Sequence, residues 1–472
     1  MPARPSAAQV GAYTFAQQRV RHAVATGRAL PGASEGPSYV LTFVIGVVIS
    51  GVLLAGAGVL GFLRPAPSVG AATVVIDRDS GRVFVVIDDV LHPATNLASA
   101  LLAAGSGSQG VRQVNSAAIQ DRPRGPLIGI LNAPQQVPDP EQLRPNTWSV
   151  CDYASVDAGA PPGTAKTVRT TALIGEPAAA GTVVGEGSAT LVTADRQTYF
   201  VLRDGRRSLL ATPDDSALLS SLGLHLGSAQ QVSVGLLNSV PQGPDLGIPH
   251  VPGAGAPTQW SAAVAVGDLV RSESATGRVS SFIALADGVQ PVTDVVADVM
   301  RAQEVPEHLV PAAGLGPVRA GALDLSAFPQ QRLAPVAVAD GQWLCTSWWL
   351  DGDGVSQRRI TVSDESPVPD FAAAVPMTAV REGTGAADAV YLRPQHGLLV
   401  RASDPGSSVQ TGTVYLITDQ GIAYPVPADD GVLGFLGLGD VSVPSAPAEL
   451  VSLLRTGPVL EPEAARRVVA AE

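Results

Sequence analysis

Two cysteines, Cys151 and Cys345, are the residues best placed to do covalent chemistry in this 472-residue chain. They stand 194 residues apart, each shortly after a tryptophan, in Trp148-Ser-Val-Cys151-Asp152 and Trp343-Leu-Cys345. One disulfide outside the cytoplasm is the simplest use of such a pair, and two buried thiols are the alternative. Zinc usually needs four ligands, and no histidine lies at ligand spacing from either cysteine. Ala160-Pro-Pro-Gly-Thr-Ala-Lys166-Thr167 ends like a phosphate-cradling loop. That loop needs glycine where Ala160 and Ala165 stand, so that the backbone can approach the phosphates. The preceding CDYASVDAG does not read as a buried strand, and the subsequent VRTTALIGEP does not read as a helix. We take the segment as a Pro/Gly loop.

Other motifs carry less. Gly32-Ala-Ser34-Glu-Gly36 matches a nucleophile-elbow pattern but lacks the strand and the hydrolase sheet that pattern requires. Asp351-Gly-Asp353-Gly354 lacks the third acidic or amide ligand and the closing Glu of a calcium loop, and reads as a turn. The six histidines are scattered, without an H-E-x-x-H. We therefore expect no catalytic, cofactor or metal site, and no enzyme activity is assigned.

The surroundings of these residues describe a different kind of protein. Fifty Gly and 39 Pro rule out a chain made mostly of long helix and call for many short elements joined by turns. The formal charge is −12. Residues 1–38 carry four Arg and one Glu, so the acidity lies in the rest of the chain. With one lysine in all, Lys166, and no basic stripe, nucleic acid is not an expected partner.

From Tyr39 to Leu63 the chain reads YVLTFVIGVVISGVLLAGAGVLGFL, without a charge. As a helix this run spans roughly 37 Å, more than the hydrocarbon core of about 30 Å. It is too long, and begins too late, for a signal peptide. Three arginines flank it on each side, so local charge does not orient it. The cysteines do, because both come after the span. Residues 1–38 are expected in the cytoplasm and 64–472 outside it. Val10, Tyr13, Val20, Ala23 and Val24 fall at helical spacing within Gln9–Leu30, with Gly27 and Pro31 to end the helix. Such a helix can dock on a partner or lie on the membrane surface.

Four stretches of the large domain share a pattern: a β-rich run with an aromatic, a turn centred on Asp, then an apolar helix. Their aromatics are Phe84, Tyr199, Phe282 and Tyr415. Asp204-Gly205 and Asp287-Gly288 are hairpin signals, since glycine accepts positive φ. Gly129–Asn132 before Pro138-Asp139 is echoed by Gly235–Asn238 before Pro244-Asp245. The two long gaps between copies each hold one cysteine, which suggests repeat–core–repeat twice over and a pseudo-twofold. In that arrangement Trp148 and Trp343 flank the cysteine pair.

The run Arg4-Pro5…Gln9-Val10-Gly11-Ala12-Tyr13-Thr14-Phe15…Arg19-Val20-Arg21-His22-Ala23 resembles the start of EccB proteins of the type VII (ESX) secretion system of actinobacteria. The Trp148–Asp152 motif, Leu344-Cys345 and the order of elements across almost the whole chain are similar to that family too. The resemblance implies an α+β fold: one N-terminal transmembrane helix, then an elongated extracytoplasmic domain of four β-rich/helix repeats around a disulfide-linked core. It implies a structural subunit of the inner-membrane secretion complex, with EccC-, EccD- and EccE-like partners and contacts between copies. Tyr13, Phe15, Arg19, Arg21 and His22 would belong to the partner-binding helix. The family is associated with ATP hydrolysis, which is not carried over without an intact nucleotide loop. A wall-binding protein gripping peptidoglycan, and an envelope hydrolase, are the alternatives. The divisions expected are 1–38 cytoplasmic helix, 39–63 membrane helix, 64–72 linker, 73–125 first repeat and 126–182 first part of the core. After these come 183–260 second repeat, 261–320 third repeat, 321–385 second part of the core, and 386–472 fourth repeat with the tail.

Overall fold

The computed structural model describes residues 6–27, 39–63, 68–105, 110–155, 167–176, 180–211, 216–274, 276–368, 373–377, 385–403, 411–427 and 431–470. The chain divides into two units, residues 1–68 and 69–472. The first unit holds two helices, α1 (Ala7–Thr26) and α2 (Tyr39–Leu63). Ser6 and Gln9 form a capping box at the start of α1, and Gly27 closes it in the left-handed conformation (φ 66°). The span α2 matches the charge-free run, and its Val40–Ala57 stretch has a mean hydropathy of 2.5 with none of it buried.

The second unit opens with sheet I: β1 (Val74–Asp77), β2 (Val83–Ile87), β3 (Val90–Pro93), helix α3 (Leu97–Ala104) and β4 (Val111–Val114). The strand order is β3-β2-β1-β4, with β4 parallel to β1. Three strands meander, and the helix carries the chain back beside the first of them. Next come β5 (Thr147–Ser155) and β6 (Thr167–Ile174), an antiparallel pair, and the short β7 (Thr182–Val183).

Sheet II is β8 (Ser188–Thr193), β9 (Tyr199–Arg203), β10 (Arg206–Leu209), α4 (Ser216–Leu222) and β11 (Gln230–Gln231), then helix α5 (Val234–Ser239). Sheet III is β12 (Leu269–Glu273), β13 (Val279–Leu285), β14 (Gly288–Val292), α6 (Asp294–Ala302) and β15 (Glu307–Leu309). After β16 (Ala334–Pro335) come β17 (Trp343–Leu350), β18 (Ser356–Ser363), β19 (Val375–Pro376) and β20 (Ala389–Leu392). Sheet IV is β21 (Gly397–Ala402), β22 (Val414–Thr418), β23 (Ile422–Val426), α7 (Val432–Phe435) and β24 (Ser445–Ala446). The chain closes with α8 (Ala448–Val451), β25 (Arg455–Thr456) and α9 (Pro462–Ala465).

Sheets II, III and IV have the same connectivity as sheet I, each with its fourth strand parallel to its first. Register shows which aromatics correspond. Phe84 lies opposite Val75 and Pro93, Phe282 opposite Val270 and Pro291, and Tyr415 opposite Val400 and Pro425. In sheet II that place belongs to Phe200, opposite Val192 and Leu209, not to the expected Tyr199. Neighbouring strand residues point to opposite faces, so the one-residue difference moves the ring across the sheet.

The hairpin turns differ as well. Asp204 (φ 49°) and Gly205 (φ 69°) make the expected positive-φ turn, and Asp88 and Asp89 do the same in sheet I. Gly288 does not. It is the first residue of β14, and a Cβ there would clash with the Pro317 carbonyl oxygen. Glycine is required because another backbone segment lies against it. The Gly129/Gly235 echo also separates. Gly235–Asn238 lies in α5, ahead of the segment at Gln242 that pairs with Arg207, whereas Gly129 comes after the equivalent pairing of Arg124 with Leu91.

Sheets I and IV share one apolar core, including Leu102, Leu416 and Leu460. Sheets II and III share another, including Leu218, Leu269 and Val296. Between the pairs in sequence, and joined to sheets II and IV through a third core, is the seven-stranded central sheet β19-β20-β6-β5-β17-β18-β7. The segment after each central hairpin crosses over, so β7 pairs with β18 and β20 with β6. The final residues strap sheet IV to sheet I. The Leu460 N–H bonds Pro425 of β23, and residues 467–469 pair with 127–129.

Candidate functional site

The middle of the central sheet is the meeting of β5 with β17, antiparallel from Trp349 opposite Thr147 to Trp343 opposite Tyr153. Cys151 and Cys345 are direct partners in that register and form a disulfide. Their Cα atoms are 4.0 Å apart. Disulfides in general hold these atoms about 4.4–6.8 Å apart. The shorter distance fits a directly opposed pair at a narrow, non-hydrogen-bonded site of an antiparallel ladder.

Strand alternation decides what surrounds the bond. Trp343 is two residues before Cys345, so it shares the disulfide face, with Leu173, Val368 and Tyr391. Its ring lies 4.9 Å from that of Tyr153. Trp148 is three residues before Cys151, an odd offset, and it faces the other way. The expectation that both tryptophans flank the bond holds for Trp343 alone. Trp148 instead stands opposite Trp348 in the large core, and both are 1% exposed. Its Nε1 donates to Asn146 Oδ1 (2.9 Å), and Asn146 Nδ2 donates to the Ser445 carbonyl in sheet IV (2.9 Å).

The segment CDYAS, not expected to be a buried strand, is the second half of β5, with Cys151 and Asp152 both buried. A strand fits here because its apolar and small residues face cores on both sides. The loop leads into a strand, β6, where a phosphate loop would open a helix. Residues 156–166 and 32–36, which carry most of the two discounted motifs, lie outside the described residues. Asp351 behaves as a turn residue. Its Oδ1 accepts from the Val355 and Asp353 N–H groups and its Oδ2 from Gln357 Nε2; the Val355 bond first, then that of Gln357, lower its pKa.

On the tryptophan side of the sheet Asp152 holds the start of α5. Its Oδ2 accepts from the Ser233 N–H (2.6 Å) and its Oδ1 from the Ser233 hydroxyl (2.9 Å). Ser233 is the N-cap of α5, and its Oγ accepts from the Leu236 N–H (2.9 Å). Burial pushes the Asp152 carboxyl up to about 6, against the pull of hydrogen bonds from Ser233 and Thr170, and the Asp388 charge adds to the rise. The far end of α5 is held by cations. Arg207 Nη1 from sheet II donates to the Leu237 carbonyl (2.6 Å), and Arg358 Nη1 from β18 donates to the Ser239 carbonyl (3.0 Å). An anion at the N-terminus and guanidinium groups at the C-terminus both suit the helix dipole. Gly235 lets α5 come close to the next segment, since a Cβ there would meet the Gly385 carbonyl oxygen at 2.7 Å. A six-residue helix thus ties the central sheet to sheet II.

Sequence reasoning found the disulfide and missed this helix. The available signal was Asp152 itself, an acid inside an apolar strand run. Among the described residues no cluster of His, Cys, Asp or Glu could hold a metal ion.

The residues expected to bind partners lie along α1. Tyr13 and Phe15 are 67% and 59% exposed. Phe15, Arg19 and His22 share one face at i, i+4, i+7, while Val10, Tyr13, Val20 and Val24 form a second face. Arg21 sits beside Val10 at the edge of the second. The five residues therefore occupy two sides of the helix.

A family model described as "Type VII secretion system ESX-1, transport TM domain B" matches residues 6–470. The chain is 30% identical to the "ESX-5 secretion system ATPase EccB5" of Mycobacterium tuberculosis over 96% of this chain and 91% of the relative. Among solved structures it is similar to a chain of "an intact ESX-5 inner membrane complex" (TM-score 0.73, 27% identity, 100% and 97% coverage). It is also similar to a chain of the "EccB3 dimer from the ESX-3 core complex" (TM-score 0.69, 28% identity, 84% and 100% coverage).

Proposed function

Because the chain belongs to the EccB family of type VII secretion proteins, we propose that it is a structural core subunit of an ESX complex in the inner membrane. The observation that carries this reading is similarity along the whole chain, membrane helix included, to a subunit of an intact inner-membrane complex. In this reading α2 anchors the protein, residues 1–38 are cytoplasmic and the large unit is extracytoplasmic. EccC-, EccD- and EccE-like subunits and further copies of the chain are its partners. The relative's name includes ATPase; for this chain a mechanical role is supported by an apolar junction tied by a disulfide and a doubly capped helix.

The common connectivity of sheets I–IV supports reading them as four copies of one module, arranged about a pseudo-twofold near Cys151–Cys345. We keep the divisions expected from the sequence as the layout of the modules, with Ala389–Leu392 joined to the central sheet and Ala334–Pro335 paired with β8 of sheet II. The partner helix is α1, with Tyr13, Phe15, Arg19, Arg21 and His22 as contacts. Apolar and charged positions on two sides suit insertion between two protein surfaces better than a membrane surface, which takes one apolar arc.

The test is extraction of the full chain in mild detergent with either Phe15→Ala/Arg19→Ala or Tyr13→Ala/Val20→Ala. Each pair should cut co-purification of the other membrane subunits at least tenfold while leaving insertion and the disulfide intact. Normal recovery of partners with both pairs would move the assembly contacts to α2 or the large unit.

A further inference from the structure

We propose that Asp152, buried against the N-terminus of α5 with Asp388 across Thr170, is a proton-operated latch: mild acidification tightens the junction of the central sheet with sheet II. Its physiological meaning rests on the extracytoplasmic placement proposed for the large unit; its physics does not.

Among the described residues, the geometry sets two carboxylates near one another without a counter-ion. Thr170 stands between them. Its N–H donates to Asp388 Oδ2 (2.8 Å), its carbonyl accepts from the Asp388 N–H (2.9 Å), and its hydroxyl bonds Asp152. Asp152 is 3% exposed, while Asp388 reaches solvent. Among the described residues, the other elements packed on Asp152 bring no charge. Helix α5 reads VGLLNS, β17 places Leu344 opposite, and Arg169 of β6 belongs to the other face of the sheet. Arg207, Arg358 and Glu449 gather at the opposite end of α5. Among the described residues, then, Asp388 is the charge that bears on Asp152.

An ionised Asp152 gains from any opening of α5, because opening lets water reach a charge that burial has left poorly solvated. A protonated Asp152 gains far less. It keeps the Ser233 N–H on one oxygen and no longer repels Asp388. The sign comes from its folded pKa of about 6 against an ordinary 3.8. The native state binds the proton more readily, so stability is lowest and flat above about pH 6 and rises as the pH falls toward 4. The opening linked to this proton is that of α5, whose ends are fixed to two strands of the central sheet and one of sheet II.

Hydrogen exchange of the full chain in mild detergent tests the latch, with rates corrected for intrinsic pH dependence. Between pH 7 and pH 5, protection of the amides of residues 234–240 should rise about tenfold in the wild type. Asp152→Asn should remove the rise. Asp388→Asn, at an exposed position, should keep it but move its midpoint to lower pH. Protection that stays flat in the wild type, or that rises equally in Asp152→Asn, overturns the proposal. If Asp152→Asn does not fold, an unmoved midpoint in Asp388→Asn overturns it instead.

Discussion

Cys151→Ser is expected to cost the large unit about 3 to 5 kcal/mol while leaving membrane insertion unchanged. The bond closes a loop with a sequence separation of 194. Chain entropy assigns such a loop roughly 5 kcal/mol, and loss of native disulfides typically costs about 2 to 5 kcal/mol. The loop contains all of sheets II and III, so breaking it frees half of the module pairs from the other half in the unfolded chain. Insertion should not suffer, because α2 belongs to a separate unit and satisfies its own backbone. Denaturant unfolding of wild type, Cys151→Ser, Cys345→Ser and the double variant measures the effect. The three variants should lose similar amounts, since each removes the same bond. A loss below about 1 kcal/mol, or additive losses, would mean that the β5–β17 pairing holds without the cross-link.

Removing residues 457–472 is expected to release sheet I while sparing the central sheet. The strap supplies Leu460 and Ala465, both 0% exposed, to the core shared by sheets I and IV. Arg466 Nε also caps α3 by donating to the Ala103 carbonyl (2.9 Å). A buried leucine alone is worth about 2 to 5 kcal/mol when truncated. Losing it with the pairing of 467–469 should lower the opening free energy of residues 74–114 by at least about 3 kcal/mol. Hydrogen exchange should show this as lost protection in β1–β4 against unchanged protection in β5 and β17. Leu460→Ala should give a smaller loss in the same place. Uniform loss across the large unit would show that the sheets open together, and no loss would show that sheet I stands alone.

What the sequence revealed depended on local signals. The span was legible because lipid demands an uninterrupted apolar helix, and α2 coincides with the apolar stretch Tyr39–Leu63. The second strands of the four sheets were legible because each carries an aromatic before a turn. The placement of Tyr199 failed by one residue, since two adjacent aromatics cannot be assigned to faces without the register of the strands on either side. Trp148 failed by the same rule in reverse, because its odd spacing from Cys151 was available and the tryptophan–cysteine proximity outweighed it. Gly288 carries no sequence mark that separates a positive φ from a close backbone neighbour far along the chain at Pro317. Helix α5 is only six residues long, below any helical period that a sequence window can establish. Its three attachments, to Asp152, Arg207 and Arg358, come from distant strands. The strap from sheet IV to sheet I is likewise long-range, and nothing local announces it.

If this chain works as a built-in part of a larger membrane assembly, its mass in the native membrane extract must show it. Native mass measurement of the full-length protein, expressed in its own membrane and extracted in mild detergent, is the most direct test. The expected particle contains more than one copy of this chain together with other membrane subunits. A particle containing one copy of this chain and no other protein would contradict the structural-subunit reading.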